Sequence, residues 1–347
     1  MSNATSCTSA VPLSWRALLG LAAVLVLVCT PRFNQYDWGV ERFTGDGPHT
    51  YAVGGRTVQL SDAYRYAMHA HYFDGGSADE LRAPFTYRPL VPFVASLLPL
   101  DPLTGINVIN LLLLAAGGLA VVRTAQHLGY GPRWQAVGGG LFAVAFPTFY
   151  YGTIGYLDAS LVGLLAVGML LIVREQWLLL TLLLAAGALV KETIVLLLPV
   201  TGVYALLSGR SRTALFGWGT AMTAAVILGA AVGRLTSPVD ATTFWMPSAY
   251  SFWHDLLRPR TYLSFLLTFG LPGTLALPSI VRVLRCLPTR PPPVVGALVT
   301  GVFVSLLLFG YAFLTAAADG RFVWTMYPFA IPLALWTLRR RIDPQTP

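Results

Sequence analysis

The chain has 347 residues, of which 55% are hydrophobic and only 11% charged, with a mean hydropathy of +0.64 and a formal net charge of +8. A soluble domain carries roughly a quarter charged residues, so this composition excludes an ordinary soluble fold. The apolar runs do not alternate, which excludes a membrane barrel, and the placing of Cys7, Cys29 and Cys286 suggests neither a disulfide framework nor a zinc site.

A run of about 20 apolar residues crosses a bilayer. The pattern therefore predicts an all-α, polytopic transmembrane helical bundle. In chain order the candidate spans are 13–30, 104–122, 134–151, 157–173, 177–190, 194–208, 214–232, 262–281, 293–313 and 323–338, which makes about ten, with both termini on one side. Arg16 followed by ALLGLAAVLVLVCT resembles a signal peptide, but no small-x-small site follows, and it reads as a retained first span. Segment 89–100, PLVPFVASLLPL, is too short to cross and holds three prolines. It is expected to dip into the interface or lie along it. The short runs between Gln176 and Gly209 leave open a single interrupted hairpin.

The charges test this topology. Arg16, Arg123, Arg133, Arg174, Arg210, Arg212, Arg282, Arg285, Arg290 and Arg339–Arg341 fall on one side, accompanied by Glu175 and Asp343 alone among the acids. By the positive-inside rule that side is cytoplasmic. The basic excess is then a matter of orientation, and no nucleic-acid partner is needed. A multi-pass protein of a bacterial inner (cytoplasmic) membrane is expected, with both termini cytoplasmic.

The first outer loop, 31–88, is expected to contain short amphipathic helices. It carries Asp37, Glu41, Asp46, Asp62, Asp74, Asp79 and Glu80. Its middle, LSDAYRYAMHAHYF, reads as a helix on which Asp62, Arg65, Tyr66 and His69 share one face. Two plain readings compete there: Ser61 as an N-cap with Asp62 in the first turn, or Asp62 and Arg65 as a surface pair. His69 and His71 diverge on a helix, so a metal pair is not expected.

Further charges lie at the edges of outer span ends: Asp158 in Tyr156-Leu157-Asp158, Lys191 and Glu192 between two apolar runs, Asp319 and Arg321 before the last span, and Arg88 before Pro89. Each alone could be an anchor that snorkels to the interface. Charges at this depth are costly and usually paired or functional, and these share one side. Phe149, Tyr150, Tyr151, Phe244, Trp245, Tyr250, Phe252 and Trp253 read first as an interfacial aromatic belt, with sugar stacking by Trp245 or Trp253 as the lesser reading. Gly138, Gly139 and Gly140 are expected to permit close helix packing.

The arrangement resembles the GT-C superfamily, integral-membrane glycosyltransferases that use polyprenyl-phosphate sugars, such as aminoarabinose transferases and protein O-mannosyltransferases. Those families carry a catalytic acid in the first outer loop in a pattern like Asp-x-x-Arg-Tyr-Ala, and Asp62-Ala63-Tyr64-Arg65-Tyr66-Ala67 is similar. Arg88-Pro89-Leu90, the later Asp158, and ALVKETIVLLLPV around Lys191 follow in the family's order over roughly 12–208. This divides the chain into a GT-C-like module, 1–208, and C-terminal helices, 209–347, with an outer loop at 233–261. Two departures stand out. Family members often have two adjacent acids where this chain has Asp62-Ala63, and no soluble outer domain follows the last span.

The resemblance implies transfer of a sugar from a lipid phosphate to an acceptor hydroxyl, with inversion and no glycosyl-enzyme intermediate. It casts Asp62 as general base. Arg88, Lys191 and Arg321 become the cations for the donor phosphate, with Arg258 and Arg260 behind them. Arg65, Tyr66, Asp158, Glu192 and Asp37 support them. No cofactor is required, although a divalent metal is compatible. The partners are the polyprenyl-phosphate sugar, a glycan, lipid or protein acceptor, and membrane lipids. Two rival classes remain: a transporter or flippase of a lipid-linked glycan, which would use the same cations without chemistry, and a non-catalytic subunit of a polysaccharide assembly complex.

Overall fold

The structure, a computed structural model, describes residues 11–35, 50–53, 56–59, 62–239, 247–285, 291–315 and 318–342. Asp37, Ser61, Phe244, Trp245, Cys7 and Cys286 lie outside these residues.

Helix α1, Trp15–Cys29, starts where the Ser14 side chain accepts the Ala17 amide, an ordinary N-cap for the first free N–H groups. The loop that follows contains an antiparallel hairpin, β1 (Thr50–Val53) and β2 (Arg56–Gln59), with Tyr51 opposite Val58. This departs from the expectation of helices alone. The β-branched and aromatic content of TYAV and RTVQ suits strands. Helix α2 is Asp62–Phe73, and a seven-residue α3, Leu90–Ser96, falls in the segment too short to cross.

The apolar run after Asp101 forms α4, Pro102–His127, with Asp101 as N-cap and proline at the first position, where its missing N–H costs nothing. Next come α5 (Pro132–Ala143), α6 (Phe146–Tyr151), α7 (Asp158–Val173) and α8 (Trp177–Val190). A 3-10 turn, Glu192–Leu196, leads into α9, Leu197–Leu207. The chain closes with α10 (Arg212–Leu235), α11 (Ala249–Leu257), α12 (Pro259–Arg285), α13 (Pro293–Thr315), α14 (Gly320–Trp324) and α15 (Tyr327–Ile342).

Among the described residues, five helices are long and apolar enough to cross a membrane: Trp15–Arg32, Pro102–His127, Thr213–Leu235, Pro259–Arg285 and Pro293–Thr315. The protein is thus a helical membrane protein. The remaining candidate spans are apolar and helical but short or broken. Segment 134–151 breaks between Ala143 and Phe146, and the last span divides into α14 and α15. The 16 residues of α7 rise only about 24 Å, short of a hydrocarbon core of about 30 Å.

Helices α7 and α15 form the centre of the bundle. From Asp158 to Gly163, and from Tyr327 to Leu335, every residue is buried. α7 packs on α4, and α15 on α12 and α13. The outermost helices are α1 and α10, whose apolar windows are only 17% buried inside the protein, which leaves their faces to lipid. Of the three consecutive glycines, Gly138 and Gly139 meet Leu335 and Leu21 closely, while Gly140 faces open space.

Candidate functional site

Helix α2 begins with Asp62, and its buried side carries Tyr66 and His69. Its first turn is held against the segment before α7. Gly155 there has φ +88°, and a Cβ at this position would lie 2.8 Å from that of Ala63. The Gly155 amide donates to Asn107 Oδ1 at 2.7 Å, and Asn110 Nδ2 donates to the Tyr156 carbonyl at 2.8 Å. Two buried asparagines of α4 thus set the path of the chain into Asp158.

Asp158, the first residue of α7, receives Lys191 Nζ at 2.6 Å, and both side chains are buried. Lys191 is able to reach it because the backbone between α8 and the 3-10 turn is extended (φ −164°, ψ 127°), which sends Lys191 and Glu192 in different directions. Glu192 turns to Arg88 and accepts from Nε at 2.9 Å and Nη2 at 2.5 Å, a two-pronged contact. Arg88 Nη1 also donates to the Tyr66 hydroxyl. Arg321, from α14, donates to Asp62 Oδ2 at 2.5 Å and lies 4.0 Å from Asp158. Its guanidinium sits over the Tyr156 ring, 4.9 Å from the centroid.

Six predicted charges, Asp62, Arg88, Asp158, Lys191, Glu192 and Arg321, therefore converge in one cluster from five stretches of the chain. All of them but Asp158 line a cavity of about 410 Å³. The apolar wall comes from Ala188, Leu196, Ala230, Leu308 and Ala312. The Asp62 side chain is 32% exposed and that of Asp158 only 3%. A solute can reach Asp62 and also Glu192, 56% exposed but with both oxygens held by Arg88, whereas Asp158 is committed to Lys191.

Other predicted residues are placed differently. The cation on Asp62 is Arg321, while Arg65 donates to the Glu80 carbonyl at 3.1 Å. Arg258 and Arg260 are absent from the cavity wall. Tyr151, expected in an interfacial belt, is buried, and its hydroxyl donates to Asp319. Asp319 also accepts from Ser264 at 2.7 Å and caps α14, so it fixes Arg321 rather than facing a ligand. Asp37 lies outside the described residues. Among the described residues no group of three or more His, Cys, Asp or Glu side chains is placed to hold a metal ion.

Burial raises the Tyr66 phenol above its ordinary value, against the opposing pull of Arg88, so the hydroxyl keeps its proton. Burial also lowers the His69 imidazole to about 4, and its Nδ1 has no hydrogen-bond partner among the described residues. His69 packs as a neutral ring beside Phe73.

Two further residues, Arg234 in the cavity wall and Asp255 outside it, carried little signal in the sequence. Arg234 lies in the last turn of α10, where it resembles an ordinary anchor; the Gly229-x-x-x-Gly233 spacing before it is the sign that this helix end packs closely. Asp255 is buried and accepts the Ala318 amide at 2.7 Å, tying α11 to the entry of α14.

No model of a known protein family matches the chain, and no curated protein matches it.

Proposed function

We propose that this protein transfers a sugar from a polyprenyl-phosphate-linked donor to an acceptor hydroxyl at the outer face of the membrane, as a glycosyltransferase of the GT-C type. The observation that carries the reading is the charge cluster at one end of an apolar bundle, in which Asp62, held by Arg321 through one oxygen, is partly exposed at the cavity. Buried ion pairs contribute little net stability, so the buried Lys191–Asp158 pair and the buried guanidinium groups of Arg88 and Arg321 are weakly explained as structural reinforcement.

In this reading the acceptor O–H gives its proton to Asp62 as its oxygen attacks the anomeric carbon. The bond from that carbon to the phosphate oxygen breaks, and the electron pair leaves with the phosphate. Configuration inverts in a single displacement. Arg321 orients Asp62 and brings its own positive charge near the developing phosphate charge. Arg88 and Lys191 supply further positive charge there, with Glu192, Tyr66 and Asp158 holding them in place. The apolar wall takes the prenyl chain. No metal is required.

The finer topology belongs to the same proposal. The shorter apolar helices complete about ten crossings, the site faces outward, and both termini lie on the cytoplasmic side of a bacterial inner membrane. In support, Arg123, Arg174, Arg282, Arg285 and Arg339–Arg341 sit at the helix ends away from the site.

The test is Asp62→Asn, which keeps size and shape. Loss of a general base lowers turnover by about 10²–10⁴-fold, read as free polyprenyl phosphate released from a panel of donors by purified protein. Wild-type turnover in a folded Asp62→Asn protein removes Asp62 from the mechanism.

A further inference from the structure

We infer that Arg234, with the Tyr87 hydroxyl, is the docking position for the phosphate of a phosphate-headed lipid. The inference rests on the reading of the cavity as a lipid-phosphate site and names residues which that reading did not include.

The charge balance of the cavity motivates it. Arg321 faces Asp62, Lys191 faces Asp158, and Arg88 faces Glu192, each within ion-pair distance. Three cations and three carboxylates cancel. Each of these cations is already shared with a carboxylate, so docking of a phosphate beside them gains from a further cation that is not. Arg234 lines the same cavity, is exposed, and among the described residues has no carboxylate partner. Its guanidinium rests over the Tyr87 ring, 5.6 Å from the centroid. That contact leaves its fan of N–H donors available for the two-pronged phosphate contact that arginine favours.

Tyr87 supplies a second, independent sign. Its hydroxyl is buried at the cavity wall and has no hydrogen-bond partner among the described residues. A buried hydroxyl normally finds one, and a phosphate oxygen held by Arg234 would serve. The two residues are kept together by close packing. A Cβ on Gly233 would stand 2.2 Å from the Tyr87 carbonyl oxygen, so only glycine lets α10 approach this near. Just beyond, Ser237 Oγ donates to Thr86 Oγ1 at 2.8 Å, tying the end of α10 to the same turn. A last-turn arginine also suits the helix dipole, but the dipole does not explain the unmet tyrosine.

The apolar wall selects a lipid over free phosphate. Ala230, Leu308 and Ala312 belong to α10 and α13, two of the five helices long enough to cross a membrane. A headgroup at Arg234 leaves its chain lying along these helices, whereas inorganic phosphate makes no use of them.

The test uses the full chain in phosphatidylcholine nanodiscs and native mass spectrometry, with three probes: a polyprenyl monophosphate, phosphatidylglycerol and inorganic phosphate. The expected result is preferential binding of the polyprenyl monophosphate, weakened about tenfold by Arg234→Gln and less by Tyr87→Phe, with Arg234→Lys in between. Thermal unfolding of each variant separates lost binding from lost fold, and should Arg234→Gln fail to fold, Arg234→Lys and Tyr87→Phe carry the test. Unchanged affinity in folded Arg234→Gln overturns the inference, as does a wild-type protein that binds inorganic phosphate or phosphatidylglycerol equally well. Binding is read without turnover. Arg234-dependent binding with no transfer from any donor refutes the transferase and leaves the docking site standing; transfer with Arg234-independent binding refutes the docking site alone.

Discussion

The two ends of the bundle use arginine in opposite ways. At the site end, Arg321 and Arg88 are largely buried, and each faces a carboxylate from a distant part of the chain. At the other end, Arg133, Arg339 and Arg340 lie over the rings of Trp134, Tyr130 and Trp336 at 5.7, 5.8 and 5.0 Å from their centroids, and Arg174 donates to His127. The one described acid there, Glu175, pairs with Arg210 where both remain partly exposed. A cation on an aromatic ring at a helix end keeps its hydration and orients the protein. A buried pair gives up that hydration and demands partners. The difference separates charges that set topology from charges that build a site.

The sharpest way to break this contrast is to remove half of a buried pair. Lys191→Met leaves the buried Asp158 carboxylate without its 2.6 Å partner, with Arg321 at 4.0 Å as a weaker substitute. A loss of about 3–5 kcal/mol is expected, because an uncompensated buried charge remains. Thermal unfolding in detergent reads it. The double variant Lys191→Met/Asp158→Asn should recover most of the loss. A single variant as stable as wild type would show that the pair is hydrated in solution.

A smaller effect is expected from His69. Burial lowers its pKa from 6.5 to about 4. The unfolded chain takes up the proton as pH falls through its ordinary value, while the folded protein resists until about 4. The unfolded state therefore binds more protons across this window, and stability declines as pH falls through it, by about 3 kcal/mol in all. Above pH 6.5 this group contributes no slope. His69→Phe should flatten the profile between these values, and an unaltered profile would place the ring in contact with water.

The smallest effect tests the far end. Arg340→Gln removes an exposed cation from the Trp336 ring, and stability should change by no more than about 0.5 kcal/mol. A larger loss would mean that the ring-stacked arginines do more than orient the protein.

Much of the site was legible in the sequence because charge beside an apolar run is expensive and conspicuous. Asp62, Arg88, Asp158, Lys191, Glu192 and Arg321 were all recognisable on that ground, and they converge in one cluster. Their pairing was not legible. Spacing along a helix offers Arg65 as the partner of Asp62, yet the partner is Arg321, 259 positions away, and local periodicity carries no information across that distance. Arg234 went unnoticed because an arginine at a span end looks the same whether it faces lipid headgroups or a cavity. The helical, membrane-embedded class followed from composition, and the apolar runs coincide with helices. Hydropathy averages over short interruptions, however, so it does not show where Val144 and Ala145 divide α5 from α6 or where the last run divides into α14 and α15. The loop hairpin was missed because TYAV and RTVQ are brief and lie among polar residues.

The central claim is that the charge cluster performs chemistry on a lipid phosphate. It is tested most directly by incubating the wild-type protein in nanodiscs with a panel of polyprenyl-phosphate sugars and crude membrane acceptors, and following free polyprenyl phosphate by mass spectrometry. The account predicts acceptor-dependent release from one donor, with inverted configuration in the product. Intact lipid binding with no release from any donor would contradict it, and would assign the same cations to carrying a lipid-linked glycan rather than to cleaving it.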